Sequence, residues 1–226
     1  MAKKVINYRQ VLNRMGFVLL AFSLAGNIFL LKHQSTVSST HLVTEVLDGD
    51  TFVTEDKSII RFDSLDAPEI GRCGSLQAKQ ELEKLILGKR VKIEAVVRDP
   101  TGRVIATVRQ GSSWVDEKLI ASGWVKYAST TIEGHGKLKS IDDQNEILKI
   151  GIHSNLCTQY ENAYNPKCNI KGNIVDEWTN RGEKIYHLPG CAQYKSTRIE
   201  KYRGEEWFCS EKEAVKAGYT KSQACP

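Results

Sequence analysis

Three acidic and two basic residues in the first half of the chain have the types and order that phosphoryl chemistry requires. Asp50, Arg61, Asp66 and Glu69 follow one another closely, and Arg103 comes later in an Asp-Pro-Thr-Gly-Arg turn. Carboxylate oxygens are hard ligands that hold divalent cations, and an arginine fork binds a phosphate through two parallel hydrogen bonds. A further carboxylate can position a water for attack. The set therefore contains the groups needed to cleave a phosphodiester.

Short strands and helices are expected to position these residues. Strands are predicted at residues 41–48, 51–56, 58–65, 91–97 and 103–109, the last two forming a hairpin around Asp-Pro-Thr-Gly. A helix is predicted from an N-cap at Ser75 to a stop at Gly88, with Leu82, Leu85 and Ile86 as its buried stripe. Two more helices are predicted, at residues 115–122 and around 138–148. This order is compatible with a small closed barrel.

Five separated motifs carry a resemblance to a known family. They are Asp-Gly-Asp-Thr at 48–51, the Arg-Phe and Asp-Ala-Pro-Glu sequences within 61–69, the Cys-Gly that follows, Asp-Pro-Thr-Gly-Arg-Val-Ile-Ala at 99–106, and Val-Asp-Glu-Lys-Leu-Ile-Ala-Ser-Gly at 115–123. Their types and order resemble the staphylococcal nuclease (thermonuclease) family over about half of the chain, ending near Gly151.

The resemblance implies a mainly β fold with α-helices, an OB-type five-stranded barrel carrying about three helices. It implies a hydrolase, an endonuclease that cleaves DNA and RNA with Ca²⁺ as its cofactor. The implied metal ligands are Asp50, Asp66 and the backbone carbonyl of Ala67, where the family has threonine. The implied catalytic residues are Arg61, Glu69 and Arg103. Glu69 would orient or deprotonate the attacking water, and the two arginines would grip the scissile phosphate.

One departure from the family pattern supports a second hypothesis. Where the family places a pair of tyrosines to line its nucleotide pocket, this chain offers Ser129 and Thr131. Stacking of a base on an aromatic ring contributes about 1–3 kcal/mol, so substrate preference is expected to change. The alternative function is a non-catalytic exported binding or scaffold module with a cell-envelope or nucleic-acid partner.

The charge of the nuclease-like segment is unusual for a nucleic-acid binder. The whole chain carries a net +5, but residues 41–155 hold 16 basic and 18 acidic side chains. A broad basic surface is the usual footprint of nucleic-acid binding, and this segment lacks that excess. We therefore expect a local positive field at the site, with weak, salt-sensitive and sequence-tolerant binding.

The N-terminus predicts export. Four basic residues within 1–14 precede an apolar run at residues 15–31, which is at the short end of a membrane-spanning helix. Ser23-Leu24-Ala25 is a candidate cleavage site, so a single-pass anchor and a cleaved signal peptide both remain open. Either places the remainder outside the cytoplasm, in a periplasmic or extracellular location. The predicted divisions are 1–32 anchor or signal, 33–40 linker, 41–155 nuclease-like domain, 156–167 linker and 168–226 cysteine-rich module.

Six cysteines follow the apolar run, at positions 73, 157, 168, 191, 209 and 225. An even number on the exported side favours disulfides, whereas reduced buried thiols are the alternative. Of the 15 connectivities, we expect Cys73 with Cys157 and the other four paired within the tail. The tail is expected to be a small disulfide-stabilised α+β module with a structural His187 and a helix capped by Ser210 and Glu213. We expect the protein to be a monomer.

Overall fold

The computed structural model describes residues 40–128, 136–175 and 182–226. The predicted anchor or signal segment, and Ser129 and Thr131, lie outside the described residues. Thr40–Pro226 forms one compact unit. Within the described part of the chain, no helix has the length and apolarity needed to cross a membrane.

Five strands close into a barrel, as predicted. They are β1 (Thr40–Val46), β2 (Thr51–Thr54), β3 (Ile59–Phe62), β5 (Arg90–Arg98) and β6 (Val104–Gln110), with β4 (Leu65–Asp66) lying apart. Their order is β3-β2-β1-β5-β6, and a parallel pairing of β3 with β6 closes the ring. Within the barrel, that pairing is parallel and the other four are antiparallel.

The third predicted strand is divided in the structure. Residues 58–65 were expected to be continuous, but β3 ends at Phe62 and the chain turns away from the barrel. Leu65 and Asp66 then pair as β4 with β8 (Lys126–Tyr127), a strand that follows a short β7 (Ser113–Trp114). The break places Asp66 at the edge of the barrel rather than in its wall.

Helices cover the barrel. The described residues form four α-helices: α1 (Ser75–Ile86), α2 (Val115–Ala121), α3 (Gly136–Leu148) and α4 (Glu211–Lys216), the last in the tail. Helix α1 buries Ala78, Leu82 and Ile86, which recur at helical spacing and pack into the main core. Residues from the barrel strands complete that core, among them Val43, Phe52, Ile60, Phe62 and Val108.

The predicted cap of α1 is wrong by one residue. Gly74, not Ser75, is the N-cap, and no side chain caps the helix. Gly74 has φ +90°, and a Cβ there would lie 3.1 Å from Ile152. The positive φ and the close approach of the segment that contains Ile152 favour glycine at this position, and they outweigh the preference for a serine cap.

The tail forms its own four-stranded sheet in the order β13-β10-β11-β14. Its strands are β10 (Ile170–Ile174), β11 (Lys184–His187), β13 (Glu206–Phe208) and β14 (Thr220–Lys221). A small core of Ile170, Tyr186, Phe208, Ala214 and Tyr219 lies between the sheet and α4. The predicted capping residues are confirmed, because Ser210 Oγ accepts a hydrogen bond from Glu213 N at 3.3 Å.

The tail packs against the barrel through a third core. Ile152, Cys157 and Tyr202 are buried together there. Residues of the predicted 156–167 linker form β9 (Thr158–Gln159), which pairs with β12 (Ile199–Glu200). Trp207 Nε1 also donates to Gln159 Oε1 at 2.9 Å. The domain boundaries stay a prediction.

Three disulfides confirm the expected pairing. Cys73 bonds Cys157, and the tail contains Cys168–Cys209 and Cys191–Cys225, so no described cysteine is free. The alternative of reduced thiols is therefore wrong. The first disulfide joins residues 84 positions apart, from the loop before α1 to the segment that leads into the tail.

Removal of this disulfide should be costly. We expect Cys73→Ala with Cys157→Ala to lower the free energy of unfolding by about 2–5 kcal/mol, because the unfolded chain regains a long loop. Urea unfolding followed by tryptophan fluorescence measures the change. Wild type treated with a mild reductant is the matched control, and equal midpoints for oxidised wild type and the double variant would contradict the expectation.

Candidate metal and phosphate site

Asp50 is the buried centre of the site. It follows the Asp-Gly turn that joins β1 to β2, and it is only 1% exposed. Its Oδ1 accepts from Thr51 Oγ1 at 2.8 Å, and its Oδ2 accepts from Ala67 N at 2.8 Å. Asp48 holds the turn by accepting from Asp50 N at 3.0 Å. The carboxylate is thus fixed between the first turn and the Asp66–Glu69 loop.

Arg61 joins the two candidate metal ligands. From β3, its Nη1 donates to Asp50 Oδ1 at 2.6 Å and its Nη2 donates to Asp66 Oδ1 at 2.8 Å. Asp50 and Asp66, which are 11 and 5 positions from Arg61 in the sequence, therefore contact the same guanidinium. The structure brings Asp50, Arg61, Asp66 and the backbone of Ala67 together.

Burial and charge oppose each other at Asp50. Burial raises the pKa of the Asp50 carboxyl to about 7, and the Arg61 guanidinium works against that rise. Burial also acts to lower the pKa of Arg61, but Asp50 and Asp66 outweigh it, so the pKa of Arg61 is raised. A buried carboxylate of this kind needs a nearby cation to stay ionised.

The oxygen donors fit a hard divalent cation but are few. Within the described ranges, no group of three or more His, Cys, Asp or Glu side chains is arranged to hold a metal. Asp50 and Asp66, with the carbonyl of Ala67, would supply three oxygens, and water or substrate would have to supply the rest. Such a sparse ligand set predicts weak affinity for Ca²⁺.

Glu69 lines a cleft beside these acids. The cleft has a volume of about 380 Å³ and is lined on one side by Asp66, Ala67, Pro68 and Glu69. Its other lining residues are Lys126, Ile174, Tyr202 and Arg203. Glu69 itself is exposed. The candidate base and the candidate ligand Asp66 therefore open onto the same space.

Arg103 lies on the barrel wall near Arg61 but points its fork at its own hairpin. Arg61 pairs with Ile105, and Arg103 is two residues before Ile105, immediately before β6 begins. The two arginines thus share a face, with Cα atoms roughly 8 Å apart. Arg103 Nε donates to Asp99 Oδ2 at 2.8 Å, and hydrogen bonds from Thr101 and Arg103 hold the pKa of Asp99 at about 2. Arg103 is not among the residues that line the cleft.

The position of Arg103 allows a specific test. We expect Arg103→Lys to lower the rate of phosphodiester cleavage at least tenfold, because lysine keeps the charge but loses the planar fork. Initial rates on single-stranded DNA measure the effect. Arg109→Lys is the matched control, since Arg109 is on β6, the strand that begins directly after Arg103, and lies roughly 20 Å farther along. Equal rates for both variants would remove Arg103 from the site.

A buried contact between Asp142 and His153 supports the strand next to the site. His153 Nε2 and Asp142 Oδ1 are 2.9 Å apart, and Asp142 Oδ2 accepts from Tyr127 N at 3.0 Å. Both side chains are buried. Because Tyr127 belongs to β8, this pair anchors the strand that holds Asp66 in place.

Sequence reasoning missed five residues of this region: Lys126, Asp142, His153, Tyr202 and Arg203. Lys126 is opposite Asp66 in the β4–β8 pairing, so it would have been found had that pairing been foreseen. The remaining four come from α3 or from later segments, and no local pattern places them near the acids.

The fold and site together define a closed five-stranded barrel with an arginine–carboxylate centre at its edge. Comparison of the chain with protein-family models and with curated proteins found no match.

Proposed function

We propose that this protein is an exported, Ca²⁺-dependent nuclease that hydrolyses phosphodiester bonds of DNA and RNA by attack of water. The observation that carries the proposal is the meeting of Asp50, Arg61 and Asp66, with Glu69 on the adjoining cleft. The resemblance to the staphylococcal nuclease family and its OB-type barrel belongs to the same proposal. A closed barrel of five strands is consistent with it.

Each side chain has a role suited to its place. Glu69, exposed on the cleft, accepts a proton from the attacking water. Arg61 uses one donor on each carboxylate, and its guanidinium has five N–H donors in all, so others remain for a phosphate oxygen. Arg103 adds a second fork from the same face. Ca²⁺, when bound by Asp50, Asp66 and the carbonyl of Ala67, supplies positive charge next to the phosphate.

The low net charge of the barrel segment fits a local mode of substrate binding. Attraction to the polynucleotide would come from the arginines and the bound cation, not from a broad basic surface. Binding should therefore be weak, sensitive to salt and indifferent to base sequence. We propose DNA and RNA as substrates on this basis.

Export is supported by cysteine usage. Three disulfides are typical of proteins that fold in an oxidising compartment. The N-terminal segment would then act as a single-pass anchor in the cell membrane, or as a signal peptide cleaved near Ala25. We propose that the protein acts as a monomer.

A non-catalytic exported binding or scaffold module is the second candidate. It is favoured by the internal pairing of both arginines, because Arg61 binds Asp50 and Asp66 and Arg103 binds Asp99. In a scaffold these ion pairs would have a structural role only. A nuclease must instead use the remaining donors of each arginine for phosphate.

Cleavage assays separate the two candidates. Full-length protein is incubated with labelled single-stranded DNA or RNA in Ca²⁺, in Mg²⁺, and in a chelator. We expect multiple-turnover cleavage in Ca²⁺, and little in Mg²⁺, which demands a tighter octahedral site. Intact substrate in all three buffers would exclude the nuclease and leave the scaffold.

A further inference from the structure

The cleft beside Glu69 has a second wall that the barrel motifs do not contain. One wall is the Asp66–Glu69 loop, and the other includes Ile174, Tyr202 and Arg203 of the tail. Lys126, the strand partner of Asp66, also lines the cleft. The cleft thus brings two acidic and two cationic side chains together. At about 380 Å³, the cleft is within the range of about 300–1,000 Å³ typical of small-ligand sites.

The second wall is held in place by tertiary contacts. Tyr202 and Arg203 belong to a 3-10 helix, Lys201–Arg203, whose Tyr202 ring is buried with Ile152 and Cys157. Lys201 N donates to Cys157 O at 2.8 Å, next to the disulfide to Cys73. This segment is therefore tied to the loop that carries Glu69.

The end of the 3-10 helix fits closely against the barrel. Gly204 follows Arg203 with φ +88°, and a Cβ there would lie 2.2 Å from the guanidinium carbon of Arg72. Arg72 is three residues after Glu69, and Arg72 N donates to Glu69 O at 2.9 Å. The positive φ favours glycine at position 204, and the Arg72 side chain packs over it, which brings the end of the 3-10 helix next to the loop that carries Glu69.

Arg203 is oriented by two glutamates. Its Nη1 lies 3.2 Å from Glu200 Oε2 and 3.9 Å from Glu205 Oε1. Glu200 also binds Arg198, and burial raises the pKa of the Glu205 carboxyl to about 7. The two glutamates therefore hold Nη1 of the guanidinium in place. The Arg203 side chain is 28% exposed and borders the cleft.

We propose that the C-terminal module completes the substrate cleft, with Arg203 binding a backbone phosphate of a single-stranded polynucleotide that neighbours the phosphate bound by Arg61. The inference deepens the proposed function and rests on it for the class of substrate. Lys126 adds a second cation to the same cleft. Arg203 is a substrate-binding residue in this scheme and takes no part in proton transfer. A cleft of this size takes one nucleotide unit, which favours a single strand over a duplex.

Binding without cleavage tests the inference. Full-length wild type, Arg203→Gln and the control Arg198→Gln are titrated into a labelled 12-nucleotide DNA in chelator buffer, with fluorescence anisotropy at several salt concentrations. Arg198 is the matched control because it also pairs with Glu200 but does not line the cleft. We expect Arg203→Gln to weaken binding roughly tenfold and Arg198→Gln to leave it within about twofold. The slope of log K against log salt should fall by about 0.7 for Arg203→Gln alone.

The outcomes separate this inference from the proposed nuclease activity. An Arg203-dependent affinity in a protein that fails to cleave in Ca²⁺ supports the inference and overturns the activity. Unchanged affinity and slope in Arg203→Gln, tighter binding in that variant, or no binding by wild type overturns the inference even if cleavage is observed. Melting curves check the fold. If Arg203→Gln is unfolded, the variants Arg203→Lys and Lys126→Gln are titrated in its place. Arg203→Lys should keep the salt slope, and Lys126→Gln should reduce it. Wild-type affinity in both variants overturns the inference.

Discussion

Glu69→Gln should reduce the rate of Ca²⁺-dependent cleavage by about 10² to 10⁴-fold, because the amide cannot accept the proton of the attacking water. Glu69 is exposed on the cleft, and glutamine has nearly the same shape. The free energy of unfolding should therefore change by less than about 0.5 kcal/mol. Initial rates on single-stranded DNA and urea unfolding measure the two effects separately.

A half-buried glutamate outside the cleft provides the control for that substitution. Glu81 is on α1, where it pairs with Lys84, and it is not part of the cleft. Glu81→Gln should cleave at the wild-type rate. Equal degradation of DNA by wild type and Glu69→Gln would falsify the assignment of Glu69 as the base.

Arg61→Gln should affect both stability and activity. Asp50 is almost fully buried, so loss of its guanidinium partner leaves an uncompensated carboxylate and should cost about 3 kcal/mol of unfolding free energy. Loss of a phosphate donor should also reduce cleavage about 10² to 10³-fold. Urea unfolding and initial rates measure the two losses in one preparation.

A double variant distinguishes the two roles of Arg61. Asp50→Asn added to Arg61→Gln removes the buried charge, so stability should recover by about 1–2 kcal/mol while activity stays low. If Arg61→Gln alone is as stable as wild type, the ion pair does not support the fold. If it also cleaves normally, Arg61 has no place in the mechanism.

Much of the barrel and half of the site could be predicted from local sequence. The Asp48–Thr51 turn and the Asp-Pro-Thr-Gly hairpin are short-range features, because the residues that define each turn are adjacent. The apolar spacing of Leu82 and Ile86 likewise indicated the buried face of α1. The convergence of Asp50, Arg61 and Asp66 was expected from the family resemblance, since the spacing alone does not bring a turn and two separate strands to one point.

The remainder depends on contacts between distant segments. The 3-10 helix that carries Arg203 reaches the Glu69 loop only because the tail docks through Tyr202 and the Cys73–Cys157 disulfide. Asp142 of α3 contacts His153 with one carboxylate oxygen and accepts from Tyr127 N of β8 with the other. Neither arrangement is marked by a repeating pattern or a turn signal, so the periodicity of the sequence does not predict these contacts.

Direct calcium titration tests the central claim that buried and exposed carboxylates form one cation site. Isothermal titration of full-length protein should show one saturable site with a dissociation constant of about 10⁻⁴ to 10⁻³ M. Asp66→Asn should weaken binding at least tenfold, whereas the control Asp143→Asn, which removes an exposed partner of Lys139 on α3, should leave it unchanged. Absence of saturable binding, or equal binding by wild type and Asp66→Asn, would contradict the account.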